Sequence, residues 1–392
     1  MPFWSGETYR AIARCLASGQ MIRGVDVEGL RSALIEHFGV EDILLCGSAS
    51  LALELALRTC HLQTGDEVIV PSFCCSAIVA PILAVGATPV LADVSTELNL
   101  TVETVDAACT SHTRAIIVPH LFGNPADIDA IAELGNAKNI VVIDDAAQAL
   151  GATTADGQSL GTSGDMGVVS FGAEKVCFGL GGGALISHSR GVLDGARETA
   201  LGYPSIIHAL RQLTAMFAYR RWRRWTLPVQ RLIARGPEKN PHAPPQPYRQ
   251  DNLTNVQAAV ARTLMDSLPE NLQARRARVQ AYGQLLGDQA GLELIPHRPS
   301  SACLTQVVRV LSKRRSEDGA ARVIQALGAA GCEVQGSYMP IHLLGSFSAC
   351  VWDRLPYTER VWADLVEVPC EPTVSLADVE RIASIVRSCA GN

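Results

Sequence analysis

Between about residue 40 and residue 190, short apolar runs alternate with longer amphipathic ones. EVIVP, TPVLADV, RAIIVPHLFG, NIVVIDD, GVVSF and GALIS are four- to seven-residue apolar cores bounded by turn residues, the pattern of buried strands. SLALELALRTC, SAIVAPILAVG and ADIDAIAELGN between them repeat apolar positions at helical spacing. Strands alternating with helices at this spacing predict right-handed crossovers and a mostly parallel sheet covered by helices on both faces. The uncharged stretch from Val68 to Ala92 is long enough to cross a bilayer, but Pro71, Pro81 and Pro89 divide it into strand, helix and strand.

The pattern changes after residue 204. IIHALRQLTAMFAYRRWRRWTLPVQRLIARG is helical, basic and aromatic, and PEKNPHAPPQP is a proline-rich connector. Residues 252–287 carry a long helical pattern, followed by strand signals in CLTQVVRVL and EVQGSYMPIH and helical patterns at 316–330 and 376–389. The expected organisation is an α/β domain over 1–204, a basic helical insert with its connector over 205–251, and a smaller α+β domain over 252–392.

Composition narrows the class. With 392 residues, 48% hydrophobic and 18% charged, the chain reads as a globular enzyme. A net charge of -6 gives no global attraction to nucleic acid or anionic membranes. AYRRWRRW fits a membrane-surface helix, but in an acidic chain it fits better a helix at a subunit interface or active-site mouth with its arginines solvated; arginines receiving a phosphate-bearing substrate are a third reading. No apolar leader segment opens the chain, and the twelve cysteines include no CxxC pair. Reduced thiols in a cytoplasmic protein are therefore expected rather than disulfides or a zinc site.

Charge usage also singles out one residue. Lys138, Lys175, Lys239 and Lys313 are the only lysines, so 33 minus four leaves 29 arginines. An amine can lose its proton and form an imine with an aldehyde, which a guanidinium cannot. Lys175 lies between an apolar strand and the Gly-Leu-Gly-Gly-Gly run at 179–183. An enzyme using pyridoxal phosphate needs such a lysine, an acid for the pyridine nitrogen and an anion hole for the phosphate. Asp144 and Asp145 end the NIVVIDD strand, where ligands of open α/β sheets collect, and Asp145 is the better placed for the acid, with Gln148 one helical turn on. The Gly-Ser-Ala-Ser start of the 50–60 helix offers free backbone N–H groups and hydroxyls to a phosphate, and Ser170 could add another hydroxyl. Each signal alone also fits an ordinary feature: an Asp or Ser helix cap, a buried serine, a glycine turn.

Taken together and in order, the segments resemble the DegT/DnrJ/EryC1/StrS family of sugar aminotransferases. The matching stretches are SASLALELAL, GDEVIVPSF, GATPVLADV, VPHLFGNPADIDAI, IDDAAQALGA, GD..VVSF..EK, GGGALIS, LTNVQAA and Y.PIH. The resemblance implies the aspartate-aminotransferase-like fold, pyridoxal phosphate as cofactor, and a homodimer with sites at the subunit boundary. It places Lys175 at the imine-forming lysine, Asp145 at the partner of the pyridine nitrogen, and Gln148 beside the ring and its 3-hydroxyl. Ser50, the Leu51 backbone N–H and Ser170 fall at the phosphate. Cys75 stands where an aromatic residue usually stacks on the cofactor, and Gly181 where a glutamate is usual. Gln250 replaces a partner-subunit asparagine, Asn252 an arginine, and the 205–235 insert has no counterpart. The implied activity is amino transfer, with glutamate as donor, to a nucleotide-linked keto sugar. A sugar dehydratase is the alternative, although that branch carries histidine at the lysine position, and so is a non-catalytic protein retaining the fold.

Overall fold

The computed structural model describes residues 4–199, 201–218, 247–311, 319–332 and 334–390. Helices α1 (Gly6–Ala17) and α2 (Asp26–Phe38) lead into β1 (Asp42–Cys46) and α3 (Ala49–Thr59). Then follow β2 (Glu67–Pro71), α4 (Val79–Ala84), β3 (Thr88–Ala92), α5 (Val102–Ala108), β4 (Thr113–Pro119), α6 (Ile128–Lys138) and β5 (Val141–Asp145). Strands β6 (Met166–Ser170) and β7 (Gly183–Ser187), the short helix α7 (Asp194–Arg197) and helix α8 over 206–218 complete this part.

These strands form one seven-stranded sheet in the order β1-β7-β6-β5-β4-β2-β3. Its strands run parallel except β7, which is antiparallel to both β1 and β6. Alternate strand residues feed two cores. Ile116, Val118, Val142 and Ile186 enter one with α1, α2 and α6. Ala115, Ile117, Ile143 and Leu185 enter the other with α3 and α4. The period-2 alternation thus covers the sheet on both faces, as the pattern predicts. Val68–Ala92 resolves into β2, α4 and β3. No helix among the described residues is long and apolar enough to cross a membrane.

The chain continues through α9 (Asn255–Asp266), α10 (Leu268–Leu286), β8 (Leu292–Leu294), β9 (Thr305–Val310), α11 (Gly319–Ala329), β10 (Gln335–Gly336), α12 (Pro356–Val361), β11 (Leu365–Pro369) and α13 (Leu376–Ala390). A four-stranded antiparallel sheet, β10-β11-β9-β8, packs on α10, α11 and α13 around Tyr282, Val308, Val323, Val366 and Val386. Helix α9 packs instead in the large core, through Val256, Val260 and Leu264. A reciprocal Thr254–Gln257 capping box starts it.

Local differences from the sequence pattern have physical causes. The strand β1 is the one the pattern does not single out; its four apolar residues, Ile43–Cys46, lie directly before the Gly47-Ser48 entry to α3. Of EVQGSYMPIH only Gln335–Gly336 pairs as strand. The rest leaves the sheet because Ile341 N–H donates to the Ser72 carbonyl of the large domain at 2.8 Å and Tyr338 packs among Phe73 and Phe122. The basic aromatic stretch 219–235 and the connector to residue 246 lie outside the described residues.

Candidate active site

The carboxyl ends of β4, β5 and β6 lie side by side, with Pro119 opposite Asp145 and Asp145 opposite Val168. The chemistry-bearing residues hang from this edge. The two adjacent aspartates of β5 have different tasks. Asp144 is fully buried and its Oδ2 accepts N–H bonds from Gly161 at 2.8 Å and Ser163 at 3.0 Å. Its Oδ1 lies 2.7 Å from His120 Nε2. The Ala126 N–H donates to His120 Nδ1 at 2.9 Å, so the ring proton sits on Nε2 and donates to Asp144. Asp144 is thereby fixed as an internal brace.

Asp145 is also buried, but its carboxylate takes one hydrogen bond from the described residues, from Ala147 N–H to Oδ1 at 3.0 Å. Burial pushes its pKa up; the Ala147 N–H, Lys175 and His120 pull it back. Lys175 is half-buried on the loop after β6 and makes no hydrogen bond or ion pair with a described residue. The positive charge of Lys175 is one of the influences that lower the proton affinity of Asp145.

The Lys175 loop is closed at its neck by Phe171 N–H to Gly182 O at 2.9 Å and Gly181 N–H to Phe171 O at 3.0 Å. Gly182 needs its left-handed φ of +109° there. At Gly183 the reason is space: a Cβ would lie 2.6 Å from the Ala49 nitrogen and 2.8 Å from the Ser48 carbonyl carbon. β7 therefore touches the start of α3 backbone to backbone, and Ser170, paired with Gly183, is drawn to the same point.

At that helix start, Ser48 is the N-cap. Its Oγ accepts from Leu51 N–H at 3.1 Å and donates to the Arg249 carbonyl at 2.9 Å. The Leu51 N–H is thus already capped within the chain, while the half-buried Ser50 hydroxyl has no described partner. Ser170 Oγ accepts from Gly172 N–H at 3.2 Å and keeps its own proton to donate. Residues 249–251 lie against this helix start through Gly47 N–H to Asp251 O at 2.7 Å. Gln250 is exposed, and its Nε2 reaches Glu54 Oε2 of the same chain at 3.5 Å. Asn252 donates to the Leu201 carbonyl at 2.8 Å.

Gln148 is buried, and its Oε1 accepts from Phe122 N–H at 3.0 Å. Its side chain also lowers the proton affinity of the Tyr338 hydroxyl, which burial raises. Cys75 is half-buried beside Tyr338, next to Cys74, whose thiol burial, Cys75 and Asp145 push up. Sequence reasoning missed His120 and Tyr338. The sequence signals were slight: a histidine closing an apolar strand and a tyrosine before Pro340.

A half-buried lysine without a hydrogen-bond or ion-pair partner among the described residues, a buried carboxylate at the end of β5, and a helix start with spare hydroxyls fit pyridoxal phosphate. Lys175 would hold its aldehyde carbon, Asp145 its ring nitrogen, and Ser50, Ser170 and the start of α3 its phosphate. Fold and site together define a lysine-centred cofactor enzyme built from a large α/β and a small α+β part. The chain belongs to the DegT/DnrJ/EryC1/StrS aminotransferase family, whose profile matches residues 4–387. It is 29% identical over 356 residues to the GDP-perosamine synthase of Caulobacter vibrioides, covering 89% of this chain and 86% of that one. It is 27% identical over 395 residues to the dTDP-4-dehydro-2,3,6-trideoxy-D-glucose 4-aminotransferase of Saccharopolyspora spinosa, covering 97% and 94%. The crystal structure of DesV from S. venezuelae, in complex with a ketimine intermediate, superposes with a TM-score of 0.78 at 26% identity, covering 98% and 95%.

Proposed function

We propose that this protein is a pyridoxal-phosphate-dependent aminotransferase that moves an amino group from an amino acid, glutamate, onto the keto carbon of a nucleotide-linked sugar. What carries the reading is the combination of Lys175, without a hydrogen bond or ion pair among the described residues, and the buried Asp145 carboxylate, whose proton affinity the lysine charge lowers, in a chain matched to this family from residue 4 to residue 387. Two relatives named for nucleotide-linked sugars support the substrate class. When bound, pyridoxal phosphate supplies an aldehyde to accept the amino group and a ring that withdraws electrons from the adjacent carbon. With the cofactor bound, the Lys175 amine would be the base that takes the proton from the donor's α-carbon and the acid that delivers it to the former aldehyde carbon. Asp145 holds a proton at the ring nitrogen; its buried position strengthens that contact by excluding water. Gln148 holds the Phe122 backbone, and the Tyr338 ring stacks on Phe122, so the three form one wall of the site.

A homodimer, sites Ser50, Leu51, Cys75 and Gln250 at the cofactor, and the three-part division of the chain belong to the same proposal. A cytoplasmic location rests on twelve free cysteines, eight of them buried. The test is spectroscopic. The purified protein should carry a visible band that bleaches with glutamate and recovers with a nucleotide-linked 4-keto sugar. A bound cofactor indifferent to every amino donor refutes the reading. A K175A protein that still forms a borohydride-reducible link refutes the site.

A further inference from the structure

The segment between β10 and α12, residues 337–355, leaves the small sheet and is built into the large one. It is fastened at three points, on β2, on β3 and on the turn after β3. At the first, Ile341 N–H donates to the Ser72 carbonyl at 2.8 Å. At the second, Val351 pairs with Val90 as a one-residue parallel bridge. Its N–H donates to the Pro89 carbonyl at 2.9 Å, and its carbonyl accepts from Leu91 N–H at 2.8 Å. β3 is an end strand of the sheet, so this bridge satisfies edge groups that would otherwise stay open. At the third, the Asp93 carboxylate accepts the Tyr357 and Thr358 N–H groups at the start of α12, each at 2.8 Å.

The first point carries an additional side-chain contact. His342 Nδ1 lies 2.7 Å from Ser72 Oγ. The His342 side chain is 4% exposed, and its Nε2 is buried without a hydrogen-bond partner among the described residues, with Glu359 Oε1 of α12 3.8 Å away. The imidazole is therefore held in one direction, by Ser72. Ser72 is fully buried and all its polar groups are engaged: its N–H with the Ala92 carbonyl at 2.9 Å, its carbonyl with Ile341 and its hydroxyl with His342. An apolar ring would fill the same volume without leaving a buried nitrogen unpaired, so the position uses the polar contact of the histidine rather than its bulk. From Ser72 the chain runs directly into Phe73, Cys74 and Cys75. The Phe73 ring lies 6.3 Å from that of Phe122 and meets Tyr338 edge-on at 6.1 Å, and Gln148 holds the Phe122 N–H. Ser72 thus sits at the root of the wall that carries Gln148 and Cys75.

We propose that His342 is a positioning residue: through its bond to Ser72 it locks the 337–355 segment onto the end of β2 and so holds the Phe73–Cys75 turn in the shape that receives the cofactor. The proposal rests on pyridoxal phosphate binding beside Cys75 and Gln148. His342 acts here without touching cofactor or substrate. Its contribution is preorganisation, since a wall already fixed in the bound shape costs no ordering when the cofactor arrives. The wall is then a joint product of both domains, and loosening of the small domain is felt at the cofactor.

The experiment titrates the cofactor-free protein with pyridoxal phosphate and records its melting temperature, for wild type, S72A, H342A, the double variant, H342N and H342Q. Asparagine offers a polar atom near the place of Nδ1, glutamine one near the place of Nε2. H342A and S72A should each weaken cofactor binding about tenfold, the scale of one lost hydrogen bond, and the double variant should bind no more weakly than either. H342N should bind close to wild type and H342Q like H342A. Binding by H342Q as tight as that of H342N, or additive losses in the double variant, overturns the proposal. So does a lower melting temperature with unchanged affinity, which would make the bond merely structural. S72A and H342N carry the comparison if H342A does not fold. If the wild type binds no pyridoxal phosphate, or shows no borohydride-reducible link at Lys175, the amino-transfer reading itself fails. If it shows both and the variants bind equally well, only the role of His342 falls.

Discussion

Asp144 and Asp145 are adjacent, both buried and both acidic, yet their replacement should have opposite consequences. D144A removes the acceptor of three buried donors: His120 Nε2–H and the backbone N–H groups of Gly161 and Ser163. An unsatisfied buried donor costs roughly 1–3 kcal/mol, so even the low end of that range gives about 3–5 kcal/mol in total. Against a typical domain stability of about 5–15 kcal/mol, this is a large share. D145N keeps an oxygen that can accept from Ala147 N–H and removes a charge that burial disfavours. The sign follows from the raised pKa. The folded state holds the Asp145 proton more tightly than the unfolded chain, so the ionised group lowers stability once the pH exceeds its unfolded pKa. D145N should therefore be as stable as wild type or more stable at neutral pH, with the difference fading in acid. Its amino transfer should fall by about 10^2–10^3-fold, the usual scale for one preorganised electrostatic group. Urea denaturation of the cofactor-free proteins and a half-reaction with glutamate read the two effects separately. The reasoning is refuted if D144A costs less than about 1 kcal/mol, or if D145N destabilises the fold more than D144A does.

G183A should force β7 away from the start of α3, since the new methyl meets backbone atoms of Ser48 and Ala49. A loss of about 1–3 kcal/mol and weaker pyridoxal phosphate binding are expected, measured by thermal denaturation and cofactor titration. S48A removes the α3 cap and its bond to the Arg249 carbonyl, costing about 1 kcal/mol in the same denaturation assay. Because the folded pKa of Glu367 is raised to about 7, its contribution to stability is fully present below its ordinary value of 4.5 and lost as the pH rises through 7. E367Q should flatten that part of the stability–pH curve, and an unchanged curve would show the carboxyl to be solvated.

The large sheet was readable because its strands are buried on both faces and therefore appear as continuous apolar runs between turn residues. Six of the seven strands carry that signal. β1 is the exception: its apolar core is only Ile43–Cys46, and it directly precedes the Gly-Ser-Ala-Ser stretch that reads as a helix start. In the candidate site the sequence singles out positions where chemistry restricts residue choice, as at Lys175 and Asp145. It was unreadable where the role depends on packing between distant segments. Nothing in the segment before Pro340 announces that Tyr338 packs on Phe73 and Phe122, which it does with Ile341 tied to the Ser72 carbonyl of the large domain. Ser48 and Ser50 could not be separated by sequence, since the choice of cap depends on the backbone turn; Ser48 at φ −159° takes that position.

The junction of Ser170, Gly183 and the start of α3, with residues 249–251 laid against it, has a consequence for how the molecule folds. Its pieces lie more than a hundred residues apart in the chain at Ser48 and Gly183, and again some two hundred apart at Ser48 and Arg249. Such long-range closure is slow, because each loop must be paid for in chain entropy before its contacts form. The phosphate end of the site can exist only after β7 has docked beside α3 and the 249–251 segment has folded back. Recovery of cofactor binding during refolding should therefore lag behind recovery of helical signal and mark the last assembly step of the chain. Once formed, the site draws the equilibrium toward the native state by mass action, so cofactor supply during synthesis bears on yield as well as on activity.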